Sequence, residues 1–187
     1  RSSCWAAGGA LKDATGAPVE FSIAVSASSA ERTRMAALIQ DDLAALGMKV
    51  NVAPLEFRSL VDRVLNTKQY EAAILGLGGG DADPNSDLHV WLSSGGSHVW
   101  NPGQKQPATP WEAEVDRLMT DQVTTLDPAK RRMQFHRVQE ILFQQAPMIF
   151  LASPNVLVAA RKQVGNFRPA VLDHYTLWNV EQIFIRR

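Results

Sequence analysis

Ala72-Ala73-Ile74-Leu75-Gly76-Leu77-Gly78-Gly79-Gly80-Asp81-Ala82-Asp83-Pro84 is the stretch whose reading decides the fold. An aliphatic run passes without a polar break into glycines, then into two aspartates and a proline. Bounded by that turn signal, the run predicts a strand buried on both faces, extending over Tyr70 to Leu77. Such a strand delivers whatever follows it to the carboxyl edge of a sheet. The glycines leave main-chain N–H and C=O groups open to close approach by another backbone or by a ligand. Asp81 and Asp83 add carboxylates there, and ligands of open α/β sheets sit at that edge. Gly/Asp clusters are also ordinary turn chemistry, so on these residues alone a solvated loop stands as an equal alternative.

Upstream, Val19, Phe21, Ile23 and Val25 alternate with Glu20, Ser22, Ala24 and Ser26, the period of a strand. Ser28 with Glu31 three residues later predicts a capping box. The helix it opens presents Met35, Leu38, Ile39, Leu43 and Leu46, and Gly47 closes it. Met48, Val50 and Val52 alternate as a second strand, and strand, helix, strand of this length predicts a parallel right-handed crossover. Phe57, Leu60, Val61, Val64 and Leu65 predict a short helix before Tyr70. The alternation of strands and helices implies an α/β layer structure.

Downstream the pattern loosens, apart from a short helix around Asp87 to Leu92. Ser93 to Pro107 forms a loop long enough to point to function or mobility. Thr109, Pro110 and Glu112 predict a second capping box, opening a helix that presents Trp111, Val115, Leu118, Met119 and Val123. Asp127 and Pro128 start another, with Met133, Val138, Ile141, Leu142 and Gln145 along one side, and Pro147 ends it. Met148 to Ala152 and Val156 to Ala160 are predicted as apolar strands. Residues 1–18 read as an irregular lead-in.

Among 187 residues, 19 Lys plus Arg balance 19 Asp plus Glu, so no global field favours nucleic acid or an anionic membrane. Nothing approaches the roughly 18 apolar residues of a membrane helix. The chain starts at Arg1 rather than Met, and a processed or truncated product is expected. Cys4 is the single cysteine, which excludes an internal disulfide and a cysteine-only metal cluster.

Motifs for catalysis fail residue by residue. Gly95, Gly96, Ser97 and His98 lead to Val99 where a nucleophile elbow requires glycine. The four histidines, His89, His98, His136 and His174, are scattered, and each is read as satisfied or solvent-facing. Gly76 and Gly78 imitate a dinucleotide fingerprint, but Asp81 replaces its third glycine and no Walker lysine follows. Asp81, Asp83, Asn85 and Asp87 imitate a calcium loop, but Ser86 and Leu92 stand where glycine and glutamate are needed. Neither a metal nor a cofactor is predicted. Trp91, Trp100 and Trp111 fall in one short segment; Trp111 reads as core, and Trp100, beside His98, Asn101 and Pro102, as a cleft residue.

The order of segments carries a further reading: GAPVEFSIAV (16–25), IQDDLAALGMKVNV (39–52), LEFRSLVDRVLNTKQYEAAILGLGGGDADP (55–84), the W-N-P loop at Trp100 to Pro102, WEAEVDRLM (111–119), RRMQFHRVQEILFQQAPMIFL (131–151) and LWNVEQIF (177–184). This ordered set resembles the C-terminal part of the family 5 extracellular solute-binding proteins, the peptide, nickel and oligosaccharide receptors of bacterial ABC importers. The resemblance implies an α/β lobe of the periplasmic-binding-protein type II, a mixed sheet with flanking helices. Residues 1–153 would form the second lobe of a two-lobed receptor, and 154–187 a return segment that packs on the first.

The resemblance also implies that a ligand main chain pairs as an added strand beside Gly76, Gly78 and Gly80. The aspartate that holds a peptide's amino terminus in that family falls on Gly80 here, with Asp81 next to it, which leaves room for a different ligand. The expected ligand-binding set is Phe57, Gly76, Gly78, Gly79, Gly80, Asp81, Asp83, Trp100 and Asn101; Arg58 beside Phe57 reads by default as a solvated arginine, with contact to an anionic ligand group as the alternative. The expected partners are a peptide or oligosaccharide-like solute and, in the full-length protein, the importer's membrane permease. A periplasmic or extracellular, membrane-anchored bacterial receptor follows from the resemblance, as does self-association of a lobe whose apolar surface is uncovered. The competing class is a nucleotide-dependent α/β enzyme using GLGGGD as a phosphate loop.

Overall fold

The computed structural model describes residues 9–78, 83–153, 155, 157–170 and 176–186. Two compact units divide the chain, Arg1–Gln144 and Gln145–Arg187.

In the first unit, β1 (Glu20–Ser26), α1 (Ala30–Ala45), β2 (Lys49–Leu55), α2 (Phe57–Asp62) and β3 (Ala72–Ile74) follow one another. The three strands form one parallel sheet in the order β2-β1-β3, with Ser26 opposite Leu55 and Val25 opposite Ile74. The predicted crossover is therefore present. Alternate residues of β1 serve opposite faces: Ile23 and Val25 pack with Ala36, Val50 and Ile74, while Ala24 packs with Leu60 and Val64. Burial on both faces is most complete in β1, where small Ala24 and Ser26 fit on the side away from α1, and the run at 72–75 shares it in part, with Ala72 and Ile74 on one face and Ala73 and Leu75 on the other.

The expected strand from Tyr70 to Leu77 is corrected to three residues, and among the described residues it lies at the sheet's edge. Both of its ends have a physical cause. Before β3, the Glu71 carboxylate accepts from Ser22 N (2.7 Å) and Ser22 Oγ (2.8 Å), so a side chain takes the place of strand pairing. After β3, the register sets Ser26, the last residue of β1, level with Leu75, leaving Gly76 to Gly78 with no strand on that side.

The first capping box is also corrected. Ser29 caps α1 by accepting from Arg32 N, and Ser28 Oγ instead meets Ser26 Oγ at 2.9 Å. On the same helix Met35, Ile39 and Leu43 pack inward, but Leu38 is 60% and Leu46 41% exposed, because fully buried Ala36 takes the centre of the contact face. Gly47 closes the helix at φ +80°, where an added Cβ would lie 2.5 Å from Gly9 O.

A 3-10 turn (Pro84–Asp87), α3 (Leu88–Trp91), α4 (Pro110–Thr124) and α5 (Pro128–Gln145) follow. Val115, Leu118 and Met119 of α4 pack on Val138, Ile141 and Leu142 of α5, with Trp91, Trp100 and Trp111 around them. Met133 and Val123, expected on the buried faces, are exposed.

The second unit pairs β4 (Val164–Gly165) with β5 (Phe184–Ile185), antiparallel. Buried Asn179 donates to Asn166 O at 2.8 Å, and Trp178 Nε1 to Arg168 O at 2.7 Å. The strands expected at Met148 to Ala152 and Val156 to Ala160 are not formed; Val156 lies outside the described residues. Apolar character specifies a strand only where a neighbour accepts its backbone hydrogen bonds, and no described strand pairs with either run.

Candidate functional site

Because the three strands are parallel and in register, their carboxyl ends share one edge. There β2 runs into Glu56, whose carboxylate caps α2 by accepting from Ser59 N at 3.1 Å. Phe57, the next residue, is 52% exposed. From β3 the chain passes into Leu75, Gly76, Leu77 and Gly78, and the last three are exposed.

The two described glycines differ. A Cβ on Gly76 would lie 2.3 Å from Arg32 Nη2 and 3.1 Å from Arg32 Cζ, so the guanidinium of α1's first turn lies on the bare backbone. A Cβ on Gly78 would meet nothing within 4 Å. The structure thus brings Phe57, Gly76 and Gly78 to one sheet edge. Gly79, Gly80 and Asp81 lie outside the described residues.

Asp83 is held by α5 and by its own turn. Its carboxylate accepts two bonds from Arg131, Nη1 at 2.7 Å and Nη2 at 2.6 Å, and a third from Asn85 N at 2.9 Å. The Arg131 hydrogen bonds, then that from Asn85, hold the carboxyl below the ordinary aspartate range. Arg131 Nε donates onward to Oε1 of fully buried Gln122, whose Nε2 reaches Asn85 Oδ1. Asp83 therefore ties the segment after the glycines to α4 and α5.

Trp100 and Asn101 belong to a polar network around Glu112, which is only 3% exposed. Glu112 Oε1 accepts from Trp100 Nε1 (3.1 Å) and Gln104 Nε2 (3.3 Å). Its Oε2 accepts from Ala108 N (2.9 Å), Thr109 N (3.0 Å) and Thr109 Oγ1 (3.1 Å). Asn101 Nδ2 donates to Gln104 Oε1, and Gln104 Nε2 also donates to His98 Nε2 at 3.0 Å. His98, buried, donates from Nδ1 to Val90 O and lies 3.8 Å from the Trp100 ring. Burial pushes the Glu112 carboxyl up, but the bonds from Trp100, Ala108, Gln104 and Thr109 outweigh it, and its pKa lies below the usual glutamate value.

Trp100 stands between Trp91 (6.5 Å) and Trp111 (6.3 Å), packed against the α4–α5 core. Tyr70 OH donates to Val99 O at 3.3 Å and links this loop to the segment before β3. The capping role of Glu112 was legible from Thr109-Pro110-Trp111-Glu112, and the predicted box forms in full. Its gathering of His98, Trp100 and Gln104 was not, because no local period relates a loop's polar side chains to a helix start. Arg32 was missed for the same reason.

The architecture is that of a type II periplasmic-binding-protein lobe. It is similar to a putative peptide binding protein, AppA, from Clostridium difficile (TM-score 0.72, 17% identity, 92% of this chain and 35% of that one). It is likewise similar to the oligopeptide-binding protein AppA from Bacillus subtilis, solved with a nonapeptide (0.71, 19%, 96% and 34%). The family model of the bacterial extracellular solute-binding proteins, family 5 Middle, matches residues 5–98, which take in the sheet and the glycine stretch, and the chain belongs to this family. A probable ABC transporter-binding protein of Deinococcus radiodurans is 31% identical over 94% of this chain and 32% of its own length. Di/tripeptide-binding protein 1 of Pseudomonas aeruginosa is 28% identical over 72% and 24%. The chain spans between 24% and 32% of the length of these two relatives.

Proposed function

We propose that this chain supplies one wall of a solute-binding cleft in an extracellular bacterial receptor, and that the solute is a peptide or a molecule with a peptide-like backbone. One observation carries the reading: Gly76 to Gly78 expose bare main chain at the edge where three parallel strands end, and the space beside Gly78 is open. A ligand backbone pairs there as an added strand, with Phe57 as an apolar flank and Gly79, Gly80 and Asp81 continuing the edge. Asp83, Trp100 and Asn101 serve the same site from behind, by holding the loops that flank it. The names of the relatives support a peptide ligand.

The work is binding, not catalysis, with residues 1–153 as one lobe and 154–187 returning to a partner lobe. Ligand contact with both lobes stabilises the closed form, and an ABC importer permease in the membrane receives the solute. The receptor is held at the membrane surface. Uncovered apolar side chains such as Phe143, 85% exposed, promote self-association of the chain alone.

Thermal unfolding against di- to hexapeptides, oligosaccharides and nucleotides tests this, with Gly78→Val alongside. Because a side chain at 78 meets only open space, the variant's own melting temperature is expected to stay unchanged. A peptide should stabilise the parent chain and not the variant. A response to nucleotide alone overturns the reading and favours a phosphate loop.

A further inference from the structure

The even charge balance of the chain conceals a local excess of base. From Gln145 to Arg187 the sequence carries Arg161, Lys162, Arg168, Arg186 and Arg187 against only Asp173 and Glu181. Arg161, Lys162, Arg168 and Arg186 line one open cavity of about 680 Å³ in the second unit, together with Phe167 and Phe184, and no described carboxylate lines it. The backbone gathers them. A turn in which Val164 N donates to Arg161 O (2.9 Å) sets Arg161 and Lys162 ahead of β4, and Arg186 N donates to Gln163 O (2.7 Å) beyond the antiparallel pair. Trp178 Nε1 fixes the carbonyl of Arg168. A Cβ on Gly165 would run into the Phe184 ring, so glycine lets that ring lie on the strand, with 53% of the residue still exposed. Among the described residues, the side chains of the four cations enter no hydrogen bond or ion pair, and exposed Glu181 pairs with none of them.

We propose that this cavity binds a phosphate group, with the three guanidinium forks and the Lys162 ammonium around its oxygens and with Phe167 and Phe184 against the apolar part of the same molecule. The inference goes beyond solute binding at the glycine edge, since every residue it uses lies in the second unit. Like charges gathered without an acid repel one another, and an anion entering among them relieves that repulsion. A phosphate offers more acceptor oxygens and more charge than a carboxylate, so it can engage several forks at once. Two aromatic rings beside it suit a phosphate ester rather than the bare ion. A phospholipid headgroup and a soluble phosphate ester share that chemistry.

Calorimetric titration of the chain with phenyl phosphate and with benzoate, which has the same ring and a carboxylate, tests it. Phenyl phosphate is expected to bind about tenfold tighter than benzoate, and inorganic phosphate about fivefold more weakly than phenyl phosphate. Arg168→Gln combined with Arg186→Gln should lower the affinity for phenyl phosphate by about tenfold or more. Because neither of those side chains has a partner, the double variant should melt as the parent does. Arg34→Gln, at an exposed arginine of α1 outside the cavity, should leave the affinity within about twofold.

Vesicles of phosphatidylcholine with and without phosphatidylglycerol separate the two sources. Cosedimentation that requires phosphatidylglycerol and is lost in the double variant assigns a lipid headgroup; phenyl phosphate binding without cosedimentation assigns a soluble ester. Parity of phenyl phosphate with benzoate, an equal loss in Arg34→Gln, or binding of neither phenyl phosphate nor the phosphatidylglycerol vesicles overturns the proposal.

Discussion

Residues 20–78 and residues 84–142 each enclose an apolar cluster, yet different residues stand at their centres. Between α1 and α2, fully buried Val25 of β1 is surrounded by aliphatic side chains and alanines. Beside α4 and α5, the Val115 and Met119 cluster is bordered by Glu112, His98 and Gln122, all buried and all bonded to other side chains. The first region is held chiefly by area removed from water. The second depends in addition on every member of a polar network being satisfied, since a half-satisfied network in low dielectric costs more than an apolar replacement.

The largest expected effect breaks that second arrangement. Glu112→Ala leaves two backbone N–H groups, the Trp100 indole and the Gln104 amide without their acceptor, and should cost about 4 kcal/mol in urea unfolding. Leu60→Ala, which opens a cavity under the sheet at a side chain 1% exposed, should cost about 3 kcal/mol. A cost for Glu112→Ala well under that of Leu60→Ala would mean that packing alone holds both regions.

Acid separates the regions more finely. Glu112 has a lower pKa folded than an ordinary glutamate, so the folded chain binds fewer protons than the unfolded chain there. Its contribution is present above the ordinary glutamate range and is lost as pH falls through the lowered folded value. Below about pH 4.5 the parent chain should therefore lose stability more steeply than Glu112→Gln. Near-ultraviolet circular dichroism of the tryptophan row follows it, and parallel curves for the two proteins would contradict it.

A smaller effect is expected at the join between the regions. Asp83→Asn removes the two-pronged pairing with Arg131, whose partners are 48% and 29% exposed. The melting temperature should fall slightly, and most of the difference should vanish in 1 M salt, where exposed charges are screened within about 3 Å. A loss that persists in high salt would place the value of Asp83 in its cap of the 3-10 turn.

What could be read from the sequence follows the same division. Apolar period and cap chemistry are local, so β1, α1, β2, α4 and α5 were legible, as was the full box at Thr109 and Glu112. Misreadings arose where a local pattern needed a distant partner. Tyr70 to Leu77 reads as a long strand until Ser26 ends its neighbour, and Ile149 and Phe150 read as strand with no described strand beside them. The run at 72–75 does pack on both faces, Ala72 and Ile74 on one and Ala73 and Leu75 on the other, though less completely than β1, where the alternation of Ser22, Ala24 and Ser26 concealed a second packed face. At the candidate site the bare glycine edge was visible in advance. The Arg32 guanidinium on Gly76, and the recruitment of Trp100 and Asn101 to Glu112, depend on loop geometry that no spacing encodes.

Amide hydrogen exchange, run with and without the peptide that most raises the melting temperature, tests the central claim most directly. The account predicts new protection concentrated in residues 75–78, where an added strand would pair, with exchange in residues 91–111 unchanged. Protection confined to 91–111, leaving 75–78 as exposed as in the free chain, would contradict it and move the ligand to the tryptophan loop.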